Sequence, residues 1–147
     1  MAAPARAKFG SDEVKRTYLA PARSGERVTS VAVSEPDAGS DVAGIKTRAV
    51  RDGDDWVING TKMWITSGTQ ADWICLLART SDEGGYMGMS QIIVPTDTPG
   101  FSVGRAIKKM GNHSSDTGEL VFEDVRVPVS NTVGEIGRGF QQQMSQF

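Results

Sequence analysis

Between Arg27 and Pro128 the chain is a succession of short apolar runs, each ended by glycine, proline, asparagine or aspartate. Punctuation this frequent suits strands and leaves little room for helix. Arg27 to Ser34 alternates into Val31 and Val33, and Ile45 to Arg51 carries Thr47, Ala49 and Val50. Asp52-Gly53-Asp54 then makes a turn before Trp56-Val57-Ile58. Asn59-Gly60 is the pair most favoured where both central residues of a hairpin turn need positive φ, so it predicts a hairpin with Lys62 to Ser67 as the return strand. Trp73 to Arg79 reads as a buried strand, Gly84-Gly85 as a loop, Ser90 to Pro95 as a strand and Thr98-Pro99-Gly100 as a turn. Glu119 to Val127 alternates Leu120, Phe122, Val125 and Val127, and Pro128 stops it. Short strands in this series predict an all-β barrel or sandwich.

Helix is expected only at the ends. From Ser11 to Ala20, Val14, Tyr18 and Leu19 share a side, with Ser11 as cap and Pro21 and Gly25 closing the segment. From Gly134 onward Ile136, Phe140, Met144 and Phe147 recur at helical spacing. That stripe has nothing left in the sequence to pack against, so the chain is expected to be part of something larger.

At 147 residues and 38% hydrophobic content the chain is large enough for a core without disulfide or metal staples. Its single cysteine, Cys75, can form no internal disulfide, and no metal site is expected. Sixteen basic residues against 18 acidic ones give a net charge of −2, with no electrostatic footprint for nucleic acid or an anionic membrane. No apolar run approaches the length of a membrane-spanning helix. The Met1-to-Ala7 segment is faintly like an organelle presequence, a likeness that Asp12 and Glu13 end.

No catalytic constellation stands out. The one histidine, His113, lies in a polar loop and reads as solvated rather than as a general base. A Gly-x-Ser-x-Gly elbow, a Gly-x-Gly-x-x-Gly turn and a phosphate-binding Walker loop are all missing. Two features remain. In Ser34-Glu35-Pro36-Asp37-Ala38-Gly39-Ser40-Asp41, proline fixes φ, glycine frees the backbone and the side chains offer oxygens. Such a segment suits a pyrophosphate or the pyrimidine edge of a flavin, or is an Asx-type turn closing a strand. In Met63-Trp64-Ile65-Thr66-Ser67, alternation puts Trp64 and Thr66 on one face, where an indole and a hydroxyl could meet one flat heterocycle. With Trp56 and Trp73 nearby, at least two of the three tryptophans are expected in the core.

At these residues the sequence resembles the acyl-CoA dehydrogenase family. Val33 to Gly44 matches its first signature. Trp56 to Lys62, Trp64-Ile65-Thr66, Ala71-Asp72, Ala78-Arg79, Pro99-Gly100, Lys109-Met110-Gly111, Ser115-Asp116-Thr117 and Phe122 to Pro128 follow in family order and spacing. The resemblance implies a mainly β fold like the family's middle-domain β-barrel, with a helix at each end belonging to neighbouring helical domains. Residues 1–26 would end an N-terminal helical domain, 27–131 would be the flavin-binding barrel, and 132–147 would begin a C-terminal helical domain.

It further implies FAD-dependent α,β-dehydrogenation of an acyl-CoA thioester. Val31, Val33, Ser34, Gly39, Ser40, Trp64, Ile65 and Thr66 would bind the cofactor, with Ser34 at the pyrimidine side, Thr66 near flavin N5 and Trp64 against the rings. Ser40 would serve the pyrophosphate and lie beside the acyl-CoA. The catalytic carboxylate would come from the C-terminal helical domain, so no catalytic residue is assigned to this chain. Electron-transferring flavoprotein, a dimer or tetramer, and a cytoplasmic (bacterial) or mitochondrial-matrix (eukaryotic) location are also implied. Three positions depart from the family pattern: Ser34 stands where threonine is common, Val31 where an aromatic is frequent, and Ser67 where asparagine is frequent. Acyl-CoA oxidases and related flavin oxidases or monooxygenases of the same fold are the alternative chemistry, and a catalytically inactive β-barrel binding module the alternative without chemistry.

Overall fold

A computed structural model of the chain describes residues 7–145. Helices α1 (Asp12–Val14) and α2 (Ala20–Ser24) are joined by a π-helical turn, Lys15–Leu19. Strands β1 (Thr29–Ala32), β2 (Arg48–Asp52), β3 (Asp55–Thr66), β4 (Trp73–Arg79), β5 (Met89–Pro95), β6 (Phe101–Ala106), β7 (Thr117–Pro128) and β8 (Thr132–Val133) follow, then α3 (Gly139–Met144). The strands form one eight-stranded sheet in the order β6-β7-β3-β2-β4-β5-β8, with β1 parallel beside β4. It curls in the manner of a barrel, so that Trp56, Ile58, Ile74, Leu76, Ile92, Leu120, Phe122 and Val125 from separate strands share one core.

β4 is apolar on both faces because both are covered. Ile74, Leu76 and Ala78 point into the core, while Trp73 and Cys75 lie beneath the N-terminal helices with Val14, Ile93 and Val133. Tyr18 meets the Trp73 ring edge-on at 5.7 Å. Ser11 caps as expected, its Oγ accepting from the Val14 amide at 3.2 Å. Pro21 does not end the helix. It occupies the first turn of α2, directly after the π turn, where a residue without an N–H is tolerated. Gly25, at φ +84°, ends it instead.

The Asn59-Gly60 hairpin does not form. β3 runs through both residues, and the chain reverses at Gly53 (φ +63°), so that β2 and β3 pair directly. Asn59 instead faces a bulge in β7: Ile58 pairs with Val125 and Gly60 with Phe122. The Asn59 amide donates to Asp124 Oδ1, and the Asp124 backbone amide donates to Asn59 Oδ1, each at 2.9 Å. With Asp124 at φ +52°, the extra residue switches the strand's parity. That is why Leu120 and Phe122, then Val125 and Val127, are all buried. Gly60 allows close approach: a Cβ there would lie 2.7 Å from Thr47 Cα.

β6 has no counterpart among the expected strands, because it is an edge strand paired only with β7 and largely exposed. It offers no buried face for a pattern to reveal. The C-terminal helix is shorter than expected. Gly134 and Gly137, at φ +71° and +83°, hold Ile136 in an exposed turn, and α3 begins only at Gly139. Its buried residues are Gly139, Gln142 and Gln143 rather than an apolar stripe. Phe147 and the start of the presequence-like segment, Met1 to Arg6, lie outside the described residues.

Candidate functional site

The exit of β1 is a tight turn: the Glu35 amide donates to Ala38 O at 2.8 Å, and the Ala38 amide donates back to Glu35 O at 3.3 Å around Pro36-Asp37. The Glu35 and Ala38 amides are therefore spent within the turn and are not open to an anion. The Glu35 side chain folds inward. Its Oε1 accepts from Lys62 Nζ and the Thr47 amide, both at 2.9 Å, and its Oε2 accepts from the Lys46 amide at 2.6 Å. Lys62 is wholly buried, and its Nζ also donates to Val33 O at 2.9 Å. Burial pulls the Lys62 ammonium down to about 8, against the opposing attraction of Glu35. Burial pushes the Glu35 carboxyl up, but the Lys62 charge and the donated hydrogen bonds outweigh it and hold the group below its usual range. The Met63 amide donates to Ser34 O at 2.9 Å, which seats Ser34 beside the end of β3.

There β3 bulges, Lys62 pairing with Leu120 but Ile65 with Gly118. Trp64 adopts φ +65°, a conformation uncommon for any residue other than glycine and an outlier for one this bulky. Met63 and Ile65 are buried, whereas Trp64 is 62% exposed. The other two tryptophans, Trp56 and Trp73, are in the core as expected. A strained backbone that turns an indole outward costs roughly 1–3 kcal/mol and is typical of ligand sites. Downstream, Ser30 Oγ donates to Thr66 O at 2.5 Å, and the Ser67 amide donates to Asp116 O at 3.1 Å. The Asp116 carboxylate holds the next turn, accepting from the Thr69 amide at 2.9 Å and its hydroxyl at 2.6 Å.

Ser67 is itself left-handed, at φ +59°. Asparagine tolerates that conformation better than serine, so Ser67→Asn is expected to recover about 0.5 kcal/mol of a penalty of roughly 1–2 kcal/mol. A higher urea midpoint would show it, and an unchanged or lower one would contradict it.

These segments and α3 enclose a cavity of about 470 Å³, within the roughly 300–1,000 Å³ usual for small-molecule sites. Val31, Val33, Ser34 and Gly39 line it from β1 and its exit, and Trp64, Ile65 and Thr66 from β3. Of the cofactor-binding residues expected from sequence, only Ser40 lies outside the lining, exposed next to Gly39. Thr29, Ser30, Val42, Ser67, Gln143 and Met144 complete the wall. Thr29 could have been found from its alternation with Val31. Gln143 is brought in by α3, which packs so closely on β5 that a Cβ on Gly139 would lie 2.6 Å from Ser90 C. Gln91 Nε2 then donates to Gln143 Oε1 at 2.5 Å. Arg79 closes the far side of the loop, donating to Ile45 O at 3.2 Å and to Ala43 O.

Among the described residues, no charged side chain lines the cavity. Its chemistry is apolar wall, hydroxyls and one outward indole, which fits a flat, neutral heterocycle with hydrogen-bonding edges. A Cβ on Gly39 would meet no protein atom within 4 Å, so that stretch of wall is open for an occupant. An isoalloxazine ring meets these terms, whereas a pyrophosphate would find no cation in this lining. His113 is exposed, as its loop predicts. Among the described residues, no group of three His, Cys, Asp or Glu side chains could hold a metal ion.

The curled β domain thus offers a neutral, hydroxyl-lined cavity at a strained strand end. The chain belongs to the acyl-CoA dehydrogenase family: residues 30–125 match the model described as acyl-CoA dehydrogenase, middle domain. It is 52% identical over 115 residues to cyclohexane-1-carbonyl-CoA dehydrogenase of Syntrophus aciditrophicus, covering 78% of this chain and 30% of that protein. The mitochondrial short-chain specific acyl-CoA dehydrogenase of Rattus norvegicus is 40% identical over 134 residues, covering 91% and 32%. A crystal structure of a probable acyl-CoA dehydrogenase from Mycobacterium abscessus superposes with a TM-score of 0.95 at 48% identity, covering 97% of this chain and 38% of that one. The chain thus spans about a third of the length of the relatives it matches.

Proposed function

We propose that this chain is the flavin platform of an FAD-dependent acyl-CoA dehydrogenase, holding the isoalloxazine ring in the cavity between the β1 exit and the end of β3. The observation that carries this is the convergence of Ser34, Thr66 and the outward Trp64 on one uncharged cavity. Ser34 would meet the pyrimidine edge, Thr66 would hydrogen-bond near N5 and Trp64 would cover the ring. When bound, FAD supplies the acceptor for the hydride that leaves the β-carbon of the thioester. The residues of this chain would bind and orient the ring, with the buried core of the curled sheet behind them. Among the described residues no carboxylate lines the cavity, and the base that removes the α-proton is proposed to come from the family's C-terminal helical domain.

On this reading residues 1–26 and 132–147 are the adjoining ends of helical domains, and 27–131 is the barrel. Ser40, exposed at the rim, would face the pyrophosphate and the acyl-CoA. Electron-transferring flavoprotein is proposed as the electron acceptor and a dimer or tetramer as the assembly. The relatives include bacterial and mitochondrial proteins, and the compartment would follow the host. No described helix is long and apolar enough to cross a membrane.

In the full-length protein, Thr66→Ala is expected to slow flavin reduction by about tenfold or more, the scale of one lost hydrogen bond near the reacting atom. Stopped-flow absorbance would measure it. Unchanged flavin content and an unchanged rate would remove Thr66 from the cofactor.

A further inference from the structure

We infer that Lys62 and Glu35 form a positioning unit that sets the distance between the two walls of the cavity, and so governs how the flavin is held without either side chain touching it. The inference rests on the flavin-platform reading above. Neither residue lines the cavity, and both are buried. Apart from each other, their partners are three backbone atoms on two segments: Val33 O after β1, and the Lys46 and Thr47 amides before β2. Val33 and Ser34 are wall residues on one side. On the other, Lys62 stands two residues before Trp64, on the near shoulder of the bulge that turns the indole outward. Moving the Lys62 ammonium therefore moves both walls.

Stability alone does not account for the pair. A buried ion pair is often no more stabilising than well-packed apolar residues of the same volume. What such residues could not do is hold the Val33 carbonyl and the Lys46 and Thr47 amides at fixed positions, because each needs a hydrogen-bonding partner of its own. The unit specifies where the β1 exit sits relative to β3, which a packed apolar pair would leave to side-chain shape.

The test uses the full-length holoenzyme and the variants Lys62→Met, Glu35→Gln and the double variant. Lys62→Met is expected to raise the flavin dissociation constant, shift the flavin absorption band and reduction potential, and slow reduction by about tenfold to a hundredfold, the scale of a misplacement near 1 Å. The double variant removes both charges, and is expected to regain thermal stability towards wild type while keeping the flavin defect. Glu35→Gln alone, which leaves Lys62 on Val33 O, is expected to show the smallest flavin change. A purely structural pair would recover stability and flavin properties together in the double variant, and that result overturns the inference. So does a Lys62→Met enzyme with wild-type affinity, spectrum and potential. Should Lys62→Met fail to fold, the double variant decides. Wild-type protein that takes up no flavin would overturn the platform reading and this inference with it; wild-type binding with unaltered variants overturns the inference alone.

Discussion

Replacing Glu35 with alanine is expected to destabilise the chain by about 3–5 kcal/mol, the cost of breaking a buried ion pair by removing one partner. The change strands the Lys62 ammonium with only Val33 O and leaves the buried Thr47 amide without its acceptor. The loss should carry a pH signature. Because the Glu35 carboxyl is held below its ordinary 4.5, its contribution is complete above that value and is lost as pH falls through the lower folded value. Wild-type stability should therefore fall on acidification below about 4.5, and the alanine variant should lack this part of the acid limb. Denaturant midpoints across that range measure both effects, and a loss under about 1 kcal/mol would show that the pair is not holding the turn.

Gly60→Ala is the second large effect, with an expected loss of about 3–5 kcal/mol from overpacking together with a disfavoured φ. Gly60 has φ +147°, and an added methyl would sit 2.5 Å from Thr47 Oγ1 and 2.7 Å from Thr47 Cα, against the backbone entering β2. Neither chain can retreat: Gly60 is paired to Phe122, and the Thr47 amide is bound to Glu35. If Asn59-Gly60 were a solvent-exposed hairpin turn, alanine would cost far less, so the size of the loss separates the bulge from the hairpin.

That position shows where sequence reasoning stops. An Asn-Gly pair between apolar runs is a turn signal by local preference, and nothing local says that β7 is long enough to pair across it. The bulge opposite, at Glu123-Asp124, is a property of two strands more than 60 residues apart, as the Asn59–Asp124 hydrogen bonds show. Pro21 inside the helix has the same origin, since a π turn is not written in composition. β6 escaped because an exposed edge strand buries too little to leave a pattern. β4, by contrast, was legible to its ends, being apolar on both faces and short. Of the site, the polar turn after β1 and the Trp64–Thr66 segment were visible as residues, but their meeting was not. It involves the inward fold of Glu35 onto Lys62, which nothing local in the sequence announces, and Gln143, which arrives with the last helix.

On the proposed function, the cavity walled by Ser34, Trp64 and Thr66 holds a flavin that works on acyl-CoA thioesters. This is tested most directly by anaerobic titration of the full-length protein with a panel of acyl-CoA thioesters of differing chain length and branching, following the visible flavin absorbance. The full-length protein is expected to carry FAD, and at least one thioester to bleach it. A flavin that stays oxidised with every member of the panel would contradict the proposed function.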